Sequence, residues 1–145
     1  MKEIILKSSS FGFSLIELLA VVAIIAILTT IGGVIYTSIQ KDVRDQQRIR
    51  DLRTVEQALE YFRNKNGYYP DASGELSAAL SSSVSSYLES FPKDPVASRN
   101  YQYKGLGSSF TLCALKEGSK FTDLPCGDAT LVCGQGNCNM GISPR

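Results

Sequence analysis

Histidine and tryptophan are absent from the 145-residue chain, and no cysteine precedes Cys113. Without histidine the commonest general base and the commonest zinc ligand are missing. Charge of one sign is also lacking: the net charge is +1, with 20% charged residues and no acidic or basic tail. That balance argues against a chain that works by broad electrostatic attraction to nucleic acid. No serine, cysteine or carboxylate stands beside a base as an activated nucleophile. The expectation is therefore a protein that is not an enzyme, with no catalytic residue, no cofactor and no resident metal. At this length there is room for one ordinary domain, and the apolar N-terminal segment takes its share first.

What the chain has is one long apolar run. "LLAVVAIIAILTTIGGVIYTSI", Leu18 to Ile39, carries no charge. At 1.5 Å per residue it is ~33 Å long as a helix, matching a hydrocarbon core of about 30 Å. A secretory signal has a shorter apolar region and a small-residue cleavage site behind it. Glu17 opens the run with no neighbouring cation, and a carboxylate within a membrane costs about 2.5 to 3.5 kcal/mol on insertion scales, so it calls for a function and a partner.

The four cysteines, Cys113, Cys126, Cys133 and Cys138, lie behind this segment. Their placement reads as an oxidising compartment and two disulfides. No C-x-x-C pair supports zinc. Lys41, Arg44, Arg48, Arg50 and Arg53 follow the span, and a count of basic residues would turn the C-terminus toward the cytoplasm. The cysteines outweigh that count, because the basic residues alternate with Asp42, Asp45 and Asp51 and have a local use on a helix. The expected topology has the N-terminus inside.

The helical period continues past the span. Leu52, Val55, Leu59 and Phe62 form a stripe opposed by Arg53, Glu56, Gln57, Glu60 and Arg63. Asn66-Gly67 supplies a left-handed cap, so the helix should end near Lys65, and from Phe13 it would be ~80 Å long. Gly32-Gly33 is its weak point, costing about 1 kcal/mol per glycine. The spacing of Leu76, Leu80, Val84 and Leu88 predicts a short helix over 73–88, against a reading of its serines as a linker. Tyr101 and Tyr103, then Phe110, Leu112 and Ala114, alternate as a hairpin around Gly105 to Gly107. A third strand is expected over Ala129 to Cys133. The class is α+β: a long helix, its first half membrane-spanning and its second amphipathic, packed on a small antiparallel sheet with a disulfide-stapled C-terminal loop. Were the strands around Cys113 and Cys133 paired, those cysteines would face each other and leave Cys126 with Cys138. The sequential pairing is equally open from spacing.

"GFSLIELLAVVAIIAIL" resembles the processing and assembly signature of type IV pilins and the pseudopilins of secretion systems: a short basic leader ending in Gly12, then Phe13, then Glu17. "YFRNKNGYYP" and "FPKDP" followed by "YQYKG" resemble later family motifs, to about Leu115. Gly32-Gly33 stands where many members have proline, and "FPKDPVASRNYQY" lacks the tryptophan and glycine often found after Asp-Pro. The resemblance implies a leader (1–12) cleaved between Gly12 and Phe13 by a prepilin peptidase that then methylates the Phe13 amine, an apolar assembly helix (13–39), and a globular domain (40–145) that includes the second half of the helix. A helix beginning at Phe13 would put that amine and the Glu17 carboxylate on one face. Cleavage removes Lys2, Lys7 and Glu3 from the 15 basic and 14 acidic side chains, leaving a formally neutral subunit.

The implied partners are copies of itself and other pilins, the peptidase, inner-membrane assembly machinery, and lipid before assembly. The implied location is the cytoplasmic membrane, then an extracellular pilus or a periplasmic pseudopilus. A pilus subunit is the first expectation, since paired cysteines suit life outside the cell. The alternatives are a pseudopilin of type II secretion or DNA uptake, and a monomeric anchored binding domain, which would have no use for Gly12-Phe13 or Glu17. Asp123 and Asp128 are weak calcium candidates, by similarity to the C-terminal loops of major pseudopilins, without a loop motif of alternating acids. "KDVRDQQRIRDLR" is read as a solvated, charge-laced helix face rather than a phosphate contact. Tyr68 and Tyr69 are expected to pack the helix against the loop that follows.

Overall fold

A computed structural model describes residues 12–118, 125–128 and 130–144. The leader before Gly12, Asp123, and Ala129 at the head of the expected third strand lie outside the described residues. The chain forms two compact units that divide between Thr37 and Ser38, and helix α1 (Leu15–Asn66) contributes to both.

The helix begins two residues later than expected. The Ser14 carbonyl accepts from the amides of Glu17 (3.1 Å) and Leu18 (3.2 Å), which places Ser14 at the cap and leaves Phe13 before the first turn. Its end is close to expectation. Gly67 takes φ +87°, its amide donates to the Arg63 carbonyl at 2.7 Å, and the Asn66 side chain donates to the Phe62 carbonyl at 2.8 Å. A residue with a Cβ is strained at that φ, so glycine ends the helix cheaply.

In the first unit, all side chains described from Phe13 to Thr37 are exposed. The most apolar window of α1 has a mean hydropathy of 2.8, and by length and composition the helix can cross a membrane. Thr29 and Thr30 need no outside partner. The Thr29 hydroxyl donates to the Ile25 and Ala26 carbonyls and the Thr30 hydroxyl to that of Ile27, so neither costs much in an apolar setting.

The second unit is an α+β domain. Four antiparallel strands, β1 (Ser73–Glu75), β2 (Gln102–Gly105), β3 (Phe110–Ala114) and β4 (Met140–Ile142), lie in chain order across one sheet. The β2–β3 hairpin is the one its alternation predicts, with Tyr103 opposite Leu112. Leu52, Val55 and Leu59 are buried against Tyr101, Tyr103, Phe110 and Leu112, so the stripe of α1 does pack on the sheet, and Phe62 closes its end partly buried.

Two expectations are corrected. Residues 73–88 are not one helix: Ser73–Glu75 pair with β2 as an edge strand, α2 covers only Leu76–Leu80, and a 3-10 turn follows at Ser85–Tyr87. Gly74 takes φ +134°, backbone that only glycine adopts readily, and the apolar anchors Leu76, Leu80 and Val84 are buried by that shorter path. The third neighbour in the hairpin's sheet is β4, not the segment ending at Cys133, which forms only an isolated bridge between Val132 and Asn137. Consequently Cys113 lies opposite Gly141, and the disulfides are sequential: Cys113–Cys126 and Cys133–Cys138.

The disulfide loop has a packing role. Phe110, Leu112 and Ala114 belong to the helix side of the sheet, while Cys113 is buried with Leu131, Cys133 and Cys138 in a second small core. A side chain at position 141 would meet the Leu112 carbonyl at 2.6 Å and the Cys126 Cα at 2.9 Å, so the first disulfide lies against β4 only because Gly141 has none. Each bond typically contributes 2 to 4 kcal/mol, a large share of the stability of so small a domain.

Candidate functional site

The polar chemistry of the second unit gathers at the start of its helical part. Asp45 and Arg48 are fully buried, two turns and one turn before Leu52. The Arg48 guanidinium donates to Asp94 through both Nε and Nη2 (2.7 Å each), to Asp45 through Nη1 (2.7 Å) and to Glu117 through Nη2 (2.9 Å). Arg44 grips the Glu117 carboxylate with two bonds, at 3.0 and 2.5 Å, and Arg99 reaches it at 3.1 Å. Asp45 also accepts from the backbone amides of Glu117 and Gly118, and Asp94 from that of Val96. Three guanidinium groups thus face three carboxylates, and each acid also holds backbone or a second base. No buried side-chain nitrogen or oxygen among the described residues lacks a partner. That is the condition under which buried charge is tolerable.

Electrostatics follows the geometry. The hydrogen bond from Arg44 holds the Glu117 carboxyl at about 2, far below its ordinary 4.5. Burial alone would lower the Arg48 pKa, but its bonds to Asp94, Glu117 and Asp45 outweigh that and raise it. With three guanidinium groups against three carboxylates the cluster is internally neutralised, which suits a structural clasp.

The charged stretch before Leu52 is therefore not all a solvated face. Arg50 and Arg53 are exposed as expected, whereas Asp45 and Arg48 are buried. The sequence carries a signal for this. Positions 45, 48, 52, 55, 59 and 62 continue one 3-4 spacing, so Asp45 and Arg48 extend the apolar stripe toward the N-terminus. Their partners Asp94, in "FPKDP", and Glu117 have no comparable signal. Tyr69 is buried, donating to Glu60 at 2.6 Å and accepting from Arg63 at 3.0 Å, while Tyr68 is exposed and packs edge-on against Phe62. Of the calcium candidates, Asp128 is engaged by Lys104 at 2.6 Å and by Thr130. No metal-binding group of acids, cysteines or histidines occurs among the described residues.

At the other end, Gly12, Phe13 and Ser14 precede the helix and Glu17 sits in its first turn, where a carboxylate complements the positive end of the helix dipole. Phe13 and Glu17 are exposed, as are the apolar side chains described from Leu18 to Ile39. The prokaryotic N-terminal methylation motif matches residues 7–33, a span that includes Gly12, Phe13 and Glu17. The chain is also similar to the type II secretion system core protein G of Vibrio cholerae, at 31% identity over 110 residues, which is 70% of this chain and 75% of that protein. The chain belongs to the type IV pilin and pseudopilin family. No solved structure matches it.

Its apolar helix carries a lone glutamate, and the second unit completes its own core from residues after Ser38. The family consists of structural filament subunits, and the apolar helix fits anchoring in a membrane before assembly.

Proposed function

We propose that the chain is a structural subunit of a type IV pilus-like filament, polymerising through α1 with copies of itself and other pilins. The carrying observation is the apolar surface of α1 over Leu15 to Ile39, exposed at every described position with Glu17 as its one charge. Such a surface is stable in lipid or against other helices and not in water. The two settings correspond to the subunit before and after assembly. On this reading residues 1–12 are a leader, a prepilin peptidase at the cytoplasmic membrane cleaves between Gly12 and Phe13 and methylates the new amine, and Glu17 meets that amine on a neighbouring copy. The second unit lies outside the cytoplasm, which agrees with its two disulfides.

The similarity to a type II secretion core protein favours a second reading, in which the filament is a short periplasmic pseudopilus. Electron microscopy of material sheared from intact cells separates them. Long filaments containing this chain mean a pilus; their absence, together with a defect in protein export on deletion, means a pseudopilus. Both readings share one expected result: intact mass spectrometry of the membrane-extracted protein gives a chain starting at Phe13 with one added methyl, and Gly12→Val leaves uncleaved precursor. A membrane protein that retains Met1 defeats both.

A further inference from the structure

The charged stretch after the apolar run is balanced in sequence but not at its surface. Asp42 and Asp45 are 9% and 0% exposed, whereas Lys41 beside them is exposed. Lys41 stands four residues before Asp45, on the face of α1 that continues upward as the core stripe. The chain after β3 comes to the same level. The Glu117 and Gly118 amides donate to Asp45, which brings the half-buried Lys116 to this end of the second unit. The guanidinium groups of Arg44, Arg48 and Arg99 are matched by carboxylates, but neither lysine side chain has a hydrogen bond or ion pair among the described residues. Two uncommitted ammonium groups are left where the domain meets the end of the apolar run.

Their depth follows from the helix. Lys41 comes two residues after Ile39, about 3 Å of rise. Tyr36, 62% exposed, lies just before them, and tyrosines at the ends of spans settle among lipid headgroups.

We propose that Lys41 and Lys116 bind anionic phospholipid headgroups at the membrane surface, holding this end of the second unit against the bilayer until the subunit leaves it. The inference rests on α1 spanning a membrane. A layer of headgroups suits the two groups better than one free anion does: each ammonium sits on a long flexible stem that can reach its own headgroup, and no buried donor converges with them on a single point. The attraction of a lysine to an anionic surface corresponds to about fivefold in affinity. The proposal also gives a use to basic residues on the side of the span that the charge count disfavours. Arg44 and Arg48 are taken up by the clasp, and Lys41 by lipid.

Native mass spectrometry of the full chain in mild detergent, titrated with phosphatidylglycerol or phosphatidylcholine, tests the site. The parent should hold phosphatidylglycerol about twentyfold more tightly than phosphatidylcholine. Lys41→Gln and Lys116→Gln should each cut that preference about fivefold, and together abolish it. Lys65→Gln, which removes the same charge from the far end of α1, should change nothing. Melting temperatures of all variants in phosphatidylcholine nanodiscs should match the parent, so that a lost preference reports binding rather than unfolding. A double variant with the parent's preference, or an equal loss from Lys65→Gln, would overturn the proposal. So would displacement of the lipid by millimolar inorganic phosphate, which would make this a site for the free anion. A parent chain that fails to insert into nanodiscs would instead sink the membrane-spanning reading, and this inference with it.

Discussion

Arg48→Met should be the most destabilising single substitution in the charged part of the second unit, lowering the unfolding free energy by about 3 to 5 kcal/mol, because it leaves Asp45 and Asp94 buried and charged without their base. Both carboxylates keep backbone donors, the Glu117 and Gly118 amides for Asp45 and the Val96 amide for Asp94, but neither can move to water. Arg44→Met provides the contrast. Its side chain is 30% exposed and its partner Glu117 retains Arg48 and Arg99, so a clearly smaller loss than for Arg48→Met is expected. Denaturant titration of the detergent-solubilised protein, followed by tyrosine emission since tryptophan is absent, measures both. Equal effects from the two substitutions would show that burial at Arg48 is not what makes the cluster matter.

The same cluster sets an acid limit. The Glu117 carboxyl is depressed in the fold to about 2 from 4.5, so its contribution to stability is fully present above about 4.5 and is lost as pH falls toward 2. The wild-type unfolding midpoint should therefore drop between pH 4.5 and 2, and Glu117→Gln should flatten that part of the profile. A Glu117→Gln protein that follows the wild-type acid profile would remove Glu117 as its cause.

Glu17→Ala should leave membrane insertion and leader cleavage intact and nearly abolish filaments. A carboxylate within an apolar helix is an expense on its own, so its loss helps insertion if anything. On the proposed filament reading, its use comes when a second copy brings a cation. The Phe13 amine released by cleavage is the only positive charge that the mature apolar segment would carry, and deleting one partner of a pair buried in low dielectric costs several kcal/mol. In the uncleaved chain Phe13 precedes the first turn of α1, outside the helical hydrogen-bond ladder. Immunoblots of the membrane fraction and of sheared material read the two halves of this expectation. Parental amounts of Glu17→Ala filaments would refute the pairing.

Periodicity carried much of the fold. A 3-4 stripe ending at Phe62 and a two-residue alternation around Tyr103 and Leu112 are local patterns, and both are present where they were expected. β1 and β4 were illegible because each is three residues long, too short for alternation to emerge, and their pairing is imposed by β2 and β3. The disulfide pairing depended on that missing strand, since placing β4 beside β3 puts Gly141 rather than Cys133 opposite Cys113. The ion cluster was half legible: Asp45 and Arg48 sit on the stripe, but Asp94 and Glu117 come from loops whose positions only the assembled sheet defines.

Consider finally a fibre under tension. Pulling on α1 at Ser38 loads the second unit from the end where Arg44, Asp45 and Arg48 are fastened, before strain reaches Leu52 and the apolar core. Apolar contacts are non-directional and can slide with little loss. Guanidinium–carboxylate pairs hold a fixed geometry and weaken steeply once bent or stretched. Bonds from one arginine to two distant loops must therefore yield together, so the domain meets force with a stiff, short-range catch at its threshold, and with a compliant interior only after that catch has given way.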